Sequence, residues 1–148
     1  MGIIYKINKS SSSDINRHLE KVDPISNISR RVDISLYSKK IRENAITFEA
    51  WDNNILVGLI ACYVNNQDTG AFITYVGVVK EYRQQGIAFT LLSNLISEAI
   101  VKMCGVIRLK VNIINNNAIL LYKKSGFCLE NQTHEEYTMI YRYLDQKP

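Results

Sequence analysis

A hydrophobic strand that runs into a glycine-containing turn and leaves it as an apolar-striped helix constrains this chain more than any other feature. The stretch reads Tyr75-Val76-Gly77-Val78-Val79, then Lys80-Glu81-Tyr82, then Arg83-Gln84-Gln85-Gly86-Ile87-Ala88. Ile87, Leu91, Leu92, Leu95, Ile96, Ala99, Ile100 and Met103 recur at three- and four-residue spacing, which predicts a helix beginning near Gly86. Ala71 to Val79 is β-branched and aromatic, as suits a largely buried strand. Such a junction leaves the first helical amides without intrahelical partners, at the positive end of the helix dipole. That is an anion site. Gly86 tolerates backbone angles that a side chain forbids, small Ala88 permits close approach to the main chain, and Arg83 adds a permanent fork-shaped cation. Arg83, Gln84, Gln85, Gly86, Ile87 and Ala88, with Thr90 on the first helical turn, are therefore the expected cradle for a pyrophosphate.

The cradle is not one of the common nucleotide loops. The chain has neither the Gly-x-Gly-x-x-Gly dinucleotide fingerprint nor a Gly-x-x-x-x-Gly-Lys-Ser/Thr loop. Arg-x-x-Gly-x-Ala alone also fits an ordinary strand-turn-helix. The second half of the chain adds Val106 to Val111 as a short strand, then Asn115-x-x-Ala118-x-x-x-Tyr122-x-Lys124-x-Gly126-Phe127. Asn is a good helix N-cap and Gly126 a good stop, so a helix over residues 115–125 is expected. Taken in order, the two segments resemble the paired signatures of GNAT-type N-acetyltransferases, which use acetyl-coenzyme A. The resemblance covers roughly Ile46 to Leu144 in element order, with its specific motifs between Val76 and Phe127.

The resemblance implies acetyl-CoA as acyl donor, no metal, and direct attack of an amine on the thioester. It places the main chain of Val76 and Val78 against the pantetheine arm, with an amide near Val78 as oxyanion donor. Their side chains are expected in the core. Asn115 is implied as a contact to the cofactor arm, with a simple N-cap or Asx turn as the alternative. Tyr122 falls at the family's general-acid position. A phenol with an ordinary pKa near ~10 keeps its proton at neutral pH, whereas a thiol lies near ~8.5, so it can protonate a leaving sulfur. A buried helix tyrosine is the alternative. Lys124 reads as a solvated lysine or a contact to the adenosine-side phosphate.

No general base is assigned. Many members of the family carry a carboxylate on the central strand, where this chain offers Thr74 and Tyr75. Glu49 and Asp52 could act through water, but surface charge is the expectation for both. The acceptor side should be built from the two N-terminal helices, where Arg30, Arg31, Asp33, Tyr37 and Lys40 concentrate. A solvated helix face explains them; if they bind, they suggest an anionic acceptor such as an amino sugar nucleotide. The leading expectation is transfer to a small-molecule amine. A protein amino terminus or lysine as acceptor, and an inactive acyl-CoA-binding module, stay open, as does a homodimer.

Length and charge fit one N-acetyltransferase domain over residues 1–148. A net charge of +4 suits a polyanionic cofactor, but no Lys/Arg-rich block or aromatic-basic interleaving points to nucleic acid. Cys62, Cys104 and Cys128 are widely spaced in apolar context, and buried reduced thiols are expected. No signal-peptide pattern and no apolar run of membrane-spanning length is seen, so no membrane partner and a cytoplasmic location are expected.

In chain order, a strand over Ile3–Asn8 precedes a helix capped among Ser10–Ser13 and running to Val22, ended by Pro24. A helix from Asp33 to Asn44 offers Ile34, Leu36, Tyr37, Ile41 and Ala45 for burial. Thr47–Trp51 and Ile55–Val64 form a hairpin across Asp52-Asn53-Asn54. Strands from Phe127 and over Tyr137–Tyr143 close the chain. The order β-α-α-β-β-β-α-β-α-β-β predicts an α/β fold with helices on both faces of one mixed sheet. The resemblance adds a splay between the strands that precede the last two helices.

Overall fold

A computed structural model describes residues 2–22, 31–66, 70–98 and 104–143, without the side chains of residues 31, 32, 65 and 66. Its elements are β1 (Ile4–Ile7), α1 (Ser12–Val22), α2 (Arg31–Asn44), β2 (Ile46–Asp52), β3 (Ile55–Asn66) and β4 (Gly70–Val78). A 3-10 turn (Lys80–Tyr82) then leads to α3 (Ile87–Ser97), β5 (Val106–Asn112), α4 (Asn116–Lys124), β6 (Cys128–Gln132) and β7 (Glu136–Arg142). The strands form a seven-stranded sheet in the order β1-β2-β3-β4-β5-β7-β6. β1 with β2, β2 with β3, β5 with β7 and β6 with β7 are antiparallel, while β4 and β5 run parallel. The mixed sheet and the element order are those expected from the sequence. The β4–β5 ladder is short: Ala71, Phe72 and Ile73 oppose Ile107, Arg108 and Leu109, and β4 continues to Val78 beyond it.

The chain divides into two compact units, Met1–Cys62 with Tyr75–Leu91, and Tyr63–Thr74 with Leu92–Pro148. In the first, Ser11 opens α1 with a reciprocal cap. Its hydroxyl accepts from the Asp14 amide at 3.1 Å, and the Asp14 carboxylate accepts from the Ser11 amide at 2.9 Å. α1 then buries Ile15, His18 and Leu19, one face at helical spacing. Ile15 and Leu19 join Ile34 and Ile41 of α2, Trp51 of β2 and Leu56, Leu59 and Ala61 of β3 in one cluster. On the opposite face of β3, Gly58 makes room for α3: a methyl group there would lie 2.8 Å from Ile87 and 3.2 Å from Leu91. Helices thus cover both faces of the β2–β3 hairpin, and Phe48, Leu59 and Ile60 are fully buried. Each such side chain contributes about 1.5–3 kcal/mol of transfer free energy.

In the second unit β5 pairs β7 from Val106 opposite Arg142 to Asn112 opposite Glu136, and β6 adds to β7 with a bulge between Leu129 and Asn131. Tyr122, Phe127 and Tyr141 stack as a tilted aromatic series with ring centroids 6.0 and 5.7 Å apart. α4 ends at Lys124, and Gly126 takes the left-handed angle (φ 105°) that turns the chain into β6.

Three expectations are corrected. Leu36 is 64% exposed and turns away from the cluster. Cys128 is exposed, because β6 is an edge strand open on both faces, whereas Cys62 and Cys104 are buried as expected. Glu49 is fully buried rather than a surface charge, because β2 is covered by helices on both sides. Pro24 with the loop of residues 23–29, Arg30, Ala99, Ile100, Met103 and Leu144 lie outside the described residues, as does the Arg31 side chain. No helix of the described residues is long and apolar enough to cross a membrane.

Candidate functional site

β4 sets up the site by the direction of its peptides. The Val79 amide donates to the Val57 carbonyl of β3 at 2.8 Å. Successive peptides of an extended strand face opposite edges, so the amides of Val78 and Val76 face away from β3. The side chain of Val78 is buried and that of Val76 half-buried, so both pack as expected for their side chains. Arg83 stands at the end of this edge. Its Nε donates to the Val78 carbonyl at 2.8 Å, which anchors the guanidinium while the side chain stays exposed.

The turn is tightly wound. The Tyr82 amide donates to Val79 and the Arg83 amide to Lys80, closing the 3-10 turn. Gln84 (φ 64°) and Gly86 (φ 81°) both adopt left-handed angles just before α3. For Gly86 the angle suits its lack of a side chain, and the space where a Cβ would stand is open. The first intrahelical bond runs from the Thr90 amide to the Gly86 carbonyl, so the amides of Ile87 and Ala88 precede it. Arg83, Gln84, Gln85 and Gly86 are exposed, Ala88 and Thr90 are half-buried, and Ile87 is buried as the anchor of the helix. The structure brings together the sequence-predicted residues Arg83 to Ala88 in one turn with the Arg83 cation anchored beside it.

Residues of the second unit have their own surroundings. Asn115 caps α4, its side-chain oxygen accepting from the Ala118 amide at 3.3 Å. Tyr122 lies on the buried side of that helix, 7% exposed, and burial pushes its pKa up to about 12. The phenol therefore keeps its proton over the whole physiological range. Lys124 is exposed.

The carboxylates weighed as bases are engaged elsewhere. Glu49 accepts from the Lys9 and Ser10 amides, from the Ser10 hydroxyl at 2.7 Å, from the Thr47 hydroxyl at 2.6 Å and from Trp51 Nε1 at 3.1 Å. It ties β1 and the start of α1 to β2. Asp52 is half-buried, not on the open surface, and accepts from the Tyr82 hydroxyl at 2.5 Å; this hydrogen bond raises the Tyr82 pKa. Of the acceptor-side group, Asp33 and Lys40 are exposed, and Tyr37 packs against the α1–α2 cluster. Sequence reasoning missed His18, which is 1% exposed and faces Tyr75. A polar residue at the Ile15–Leu19 spacing was the signal available for it.

Comparison with known proteins places this geometry in context. The model of the acetyltransferase (GNAT) family matches residues 14–127. Histone acetyltransferase MCC1 of Arabidopsis thaliana is 35% identical over 80 residues, 53% of this chain and 32% of that protein. N-alpha-acetyltransferase 30 of Schizosaccharomyces pombe is 30% identical over 103 residues, 66% of this chain and 62% of that protein. The chain thus spans from about a third to about three fifths of the length of these curated relatives. Arabidopsis thaliana NAA60, solved in complex with acetyl-CoA, has the same fold, with a TM-score of 0.76 at 22% identity over 95% of this chain and 99% of that one. Since the family model spans the turn, α3 and the segment from Asn115 to Phe127, the chain belongs to the acetyltransferase (GNAT) family.

Proposed function

We propose that this chain is an N-acetyltransferase that takes its acetyl group from acetyl-CoA and delivers it to an amine of a polypeptide. The observation that carries the reading is the turn itself. Amides of Ile87 and Ala88 precede the first intrahelical bond, Gly86 leaves the approach open, and Arg83 is anchored beside them. Arg83, Gln84, Gln85, Gly86, Ile87, Ala88 and Thr90 hold the pyrophosphate of the coenzyme. Val76 and Val78 pair through their main chain with the pantetheine arm, and Asn115 adds a polar contact to it. The family match runs across both compact units, which supports one catalytic domain over residues 1–148. The cytoplasm is the compartment this reading assigns.

The chemistry needs an unprotonated nucleophile, a donor for the oxyanion and a proton for the thiolate. The outward Val78 amide serves as oxyanion donor. Tyr122, with its proton firmly held, is the acid that neutralises the departing sulfur; no metal is used.

A polypeptide acceptor is favoured because the curated relatives are named as a histone acetyltransferase and an N-alpha-acetyltransferase. A small anionic amine, such as an amino sugar nucleotide, is the second reading; the adjacent Arg30 and Arg31 in the sequence favour it. Acetyl-CoA turnover by the full chain separates them, with peptides of varied N-terminal residue, N-terminally blocked lysine peptides and small amines as acceptors. Turnover confined to the peptides supports the first reading, and turnover confined to small amines replaces it with the second. Coenzyme binding without turnover on any acceptor leaves an inactive binding module; absence of both overturns the reading.

A further inference from the structure

The turn that opens α3 is fastened to the β2–β3 hairpin at two points. Ala50 opposes Gly58 while Trp51 opposes Leu56, which leaves Val57 as the extra residue of a bulge in β3. The carbonyl of Val57 takes the Val79 amide at 2.8 Å, where β4 ends. Beyond the bulge the hairpin closes with Asp52 opposite Ile55. Asp52 Oδ2 then accepts from the Tyr82 hydroxyl at 2.5 Å, a contact 30 residues apart in sequence. The bonds from the Tyr82 and Arg83 amides, from Arg83 Nε and from Gln85 Nε2 all close within residues 78–85. They shape the turn without tying it to the hairpin. Its shape is not a relaxed one, since Gln84 carries a side chain at a left-handed angle (φ 64°). Packing leaves Tyr82 room to move, because it lines a cavity of about 620 Å³ with Arg17, Lys21, Ile55 and Val79. The charge-assisted hydrogen bond to Asp52 is what fixes its position.

We propose that Tyr82 and Asp52 are positioning residues for the coenzyme, a strut that holds the turn in its diphosphate-binding shape before the ligand arrives. This rests on the acetyltransferase reading above and names what supports its pyrophosphate site. A site shaped in advance loses less of its interaction with the ligand to ordering. Without the strut, residues 80–86 sample other conformations, and apparent affinity falls by the fraction of chains in the competent one. The loss belongs to the diphosphate and not to the rest of the coenzyme. Neither residue is asked to touch the thioester, so acetyl transfer itself proceeds normally once the coenzyme is bound. The same hydrogen bond raises the Tyr82 pKa, which keeps the phenol a donor at neutral pH.

The test is calorimetry of the full chain with coenzyme A, beside steady-state kinetics with acetyl-CoA and with S-acetylpantetheine, which has the arm but no diphosphate. Tyr82→Phe removes only the hydroxyl. It should bind coenzyme A ~10-fold more weakly and raise the KM for acetyl-CoA in step, with kcat within about twofold of the parent. Its kcat/KM for S-acetylpantetheine should also stay within about twofold. Asp52→Ala should match Tyr82→Phe, and the double variant should be no weaker than either single one. Asp52→Asn keeps an oxygen for the hydroxyl and should recover part of the affinity. Parental affinity for coenzyme A in Tyr82→Phe and Asp52→Ala overturns the strut. Equal losses on acetyl-CoA and S-acetylpantetheine, or losses that add in the double variant, mark a general loss of structure and overturn it too. A parent that binds no coenzyme A overturns the acetyltransferase reading and this inference together. A parent that binds it and acetylates nothing overturns the transferase reading alone, and the calorimetric comparison then decides the strut.

Discussion

Arg83 Nε donates to the carbonyl oxygen of Val78 at 2.8 Å, so the cation of the turn is fastened to a carbonyl that β4 turns away from β3. One hydrogen bond thereby links the proposed pantetheine edge to the proposed pyrophosphate cradle. Arg83→Ala should weaken coenzyme A by ~10–100-fold, the equivalent of one or two charge-assisted hydrogen bonds. Arg83→Lys keeps the charge but not the fork and should recover only part. Titration in rising salt checks the electrostatic share, because the gap between parent and Arg83→Ala narrows as the charge is screened.

Glu49 should prove structural. Its removal strands the donors of Lys9, Ser10, Thr47 and Trp51 in a buried site. Glu49→Ala should therefore cost roughly 3–5 kcal/mol of stability, read as a shift in urea midpoint. Coenzyme affinity of the folded fraction should match the parent.

His18 should make the fold acid-sensitive. Its pKa is 6.5 ordinarily and about 4 when folded, so below pH ~6.5 the unfolded chain takes up a proton that the native one refuses. The stabilisation is complete above pH ~6.5 and drains away as pH falls toward 4, by about 3 kcal/mol in all. Urea midpoints at about pH 7.5 and 4.5 for the parent and His18→Gln test this. The variant should lose distinctly less.

Tyr122→Phe should lower turnover by ~100-fold or more with coenzyme affinity unchanged. Burial holds the phenol pKa at about 12, so the parent should show no loss of activity from Tyr122 ionisation through the mildly alkaline range. An alkaline limb that disappears in Tyr122→Phe would contradict this assignment. Thermal stability should be nearly retained, because the ring keeps its stacking on Phe127.

Local rules made much of the fold legible. Ser11 and Asp14 announce the start of α1, Asn53 and Asn54 form the turn between β2 and β3, and Gly126 the exit from α4. The turn that opens α3 was legible for the same reason: its residues are neighbours in sequence. Long-range partners were not. Glu49 reads as a solvent-facing strand residue until helices are laid on both faces of β2, and its donors at Lys9 and Ser10 lie far away in sequence. His18 and Tyr75 belong to elements that only the β2–β3–β4 arrangement brings together. Cys128 looked buried because its neighbours Phe127 and Leu129 are apolar, yet an edge strand leaves it open to solvent.

Isothermal titration of the full chain with coenzyme A, beside Gly86→Ala, tests the cradle most directly. Alanine at a φ of 81° costs about 1–2 kcal/mol of backbone strain but meets no neighbouring atom, so the variant isolates the turn's conformation. The parent should bind the coenzyme in a one-to-one complex, and Gly86→Ala should bind it ~5–30-fold more weakly, the strain being relieved at the expense of the ligand-binding shape. No binding by the parent, or equal affinity in the two proteins, would contradict the assignment of the diphosphate to this turn.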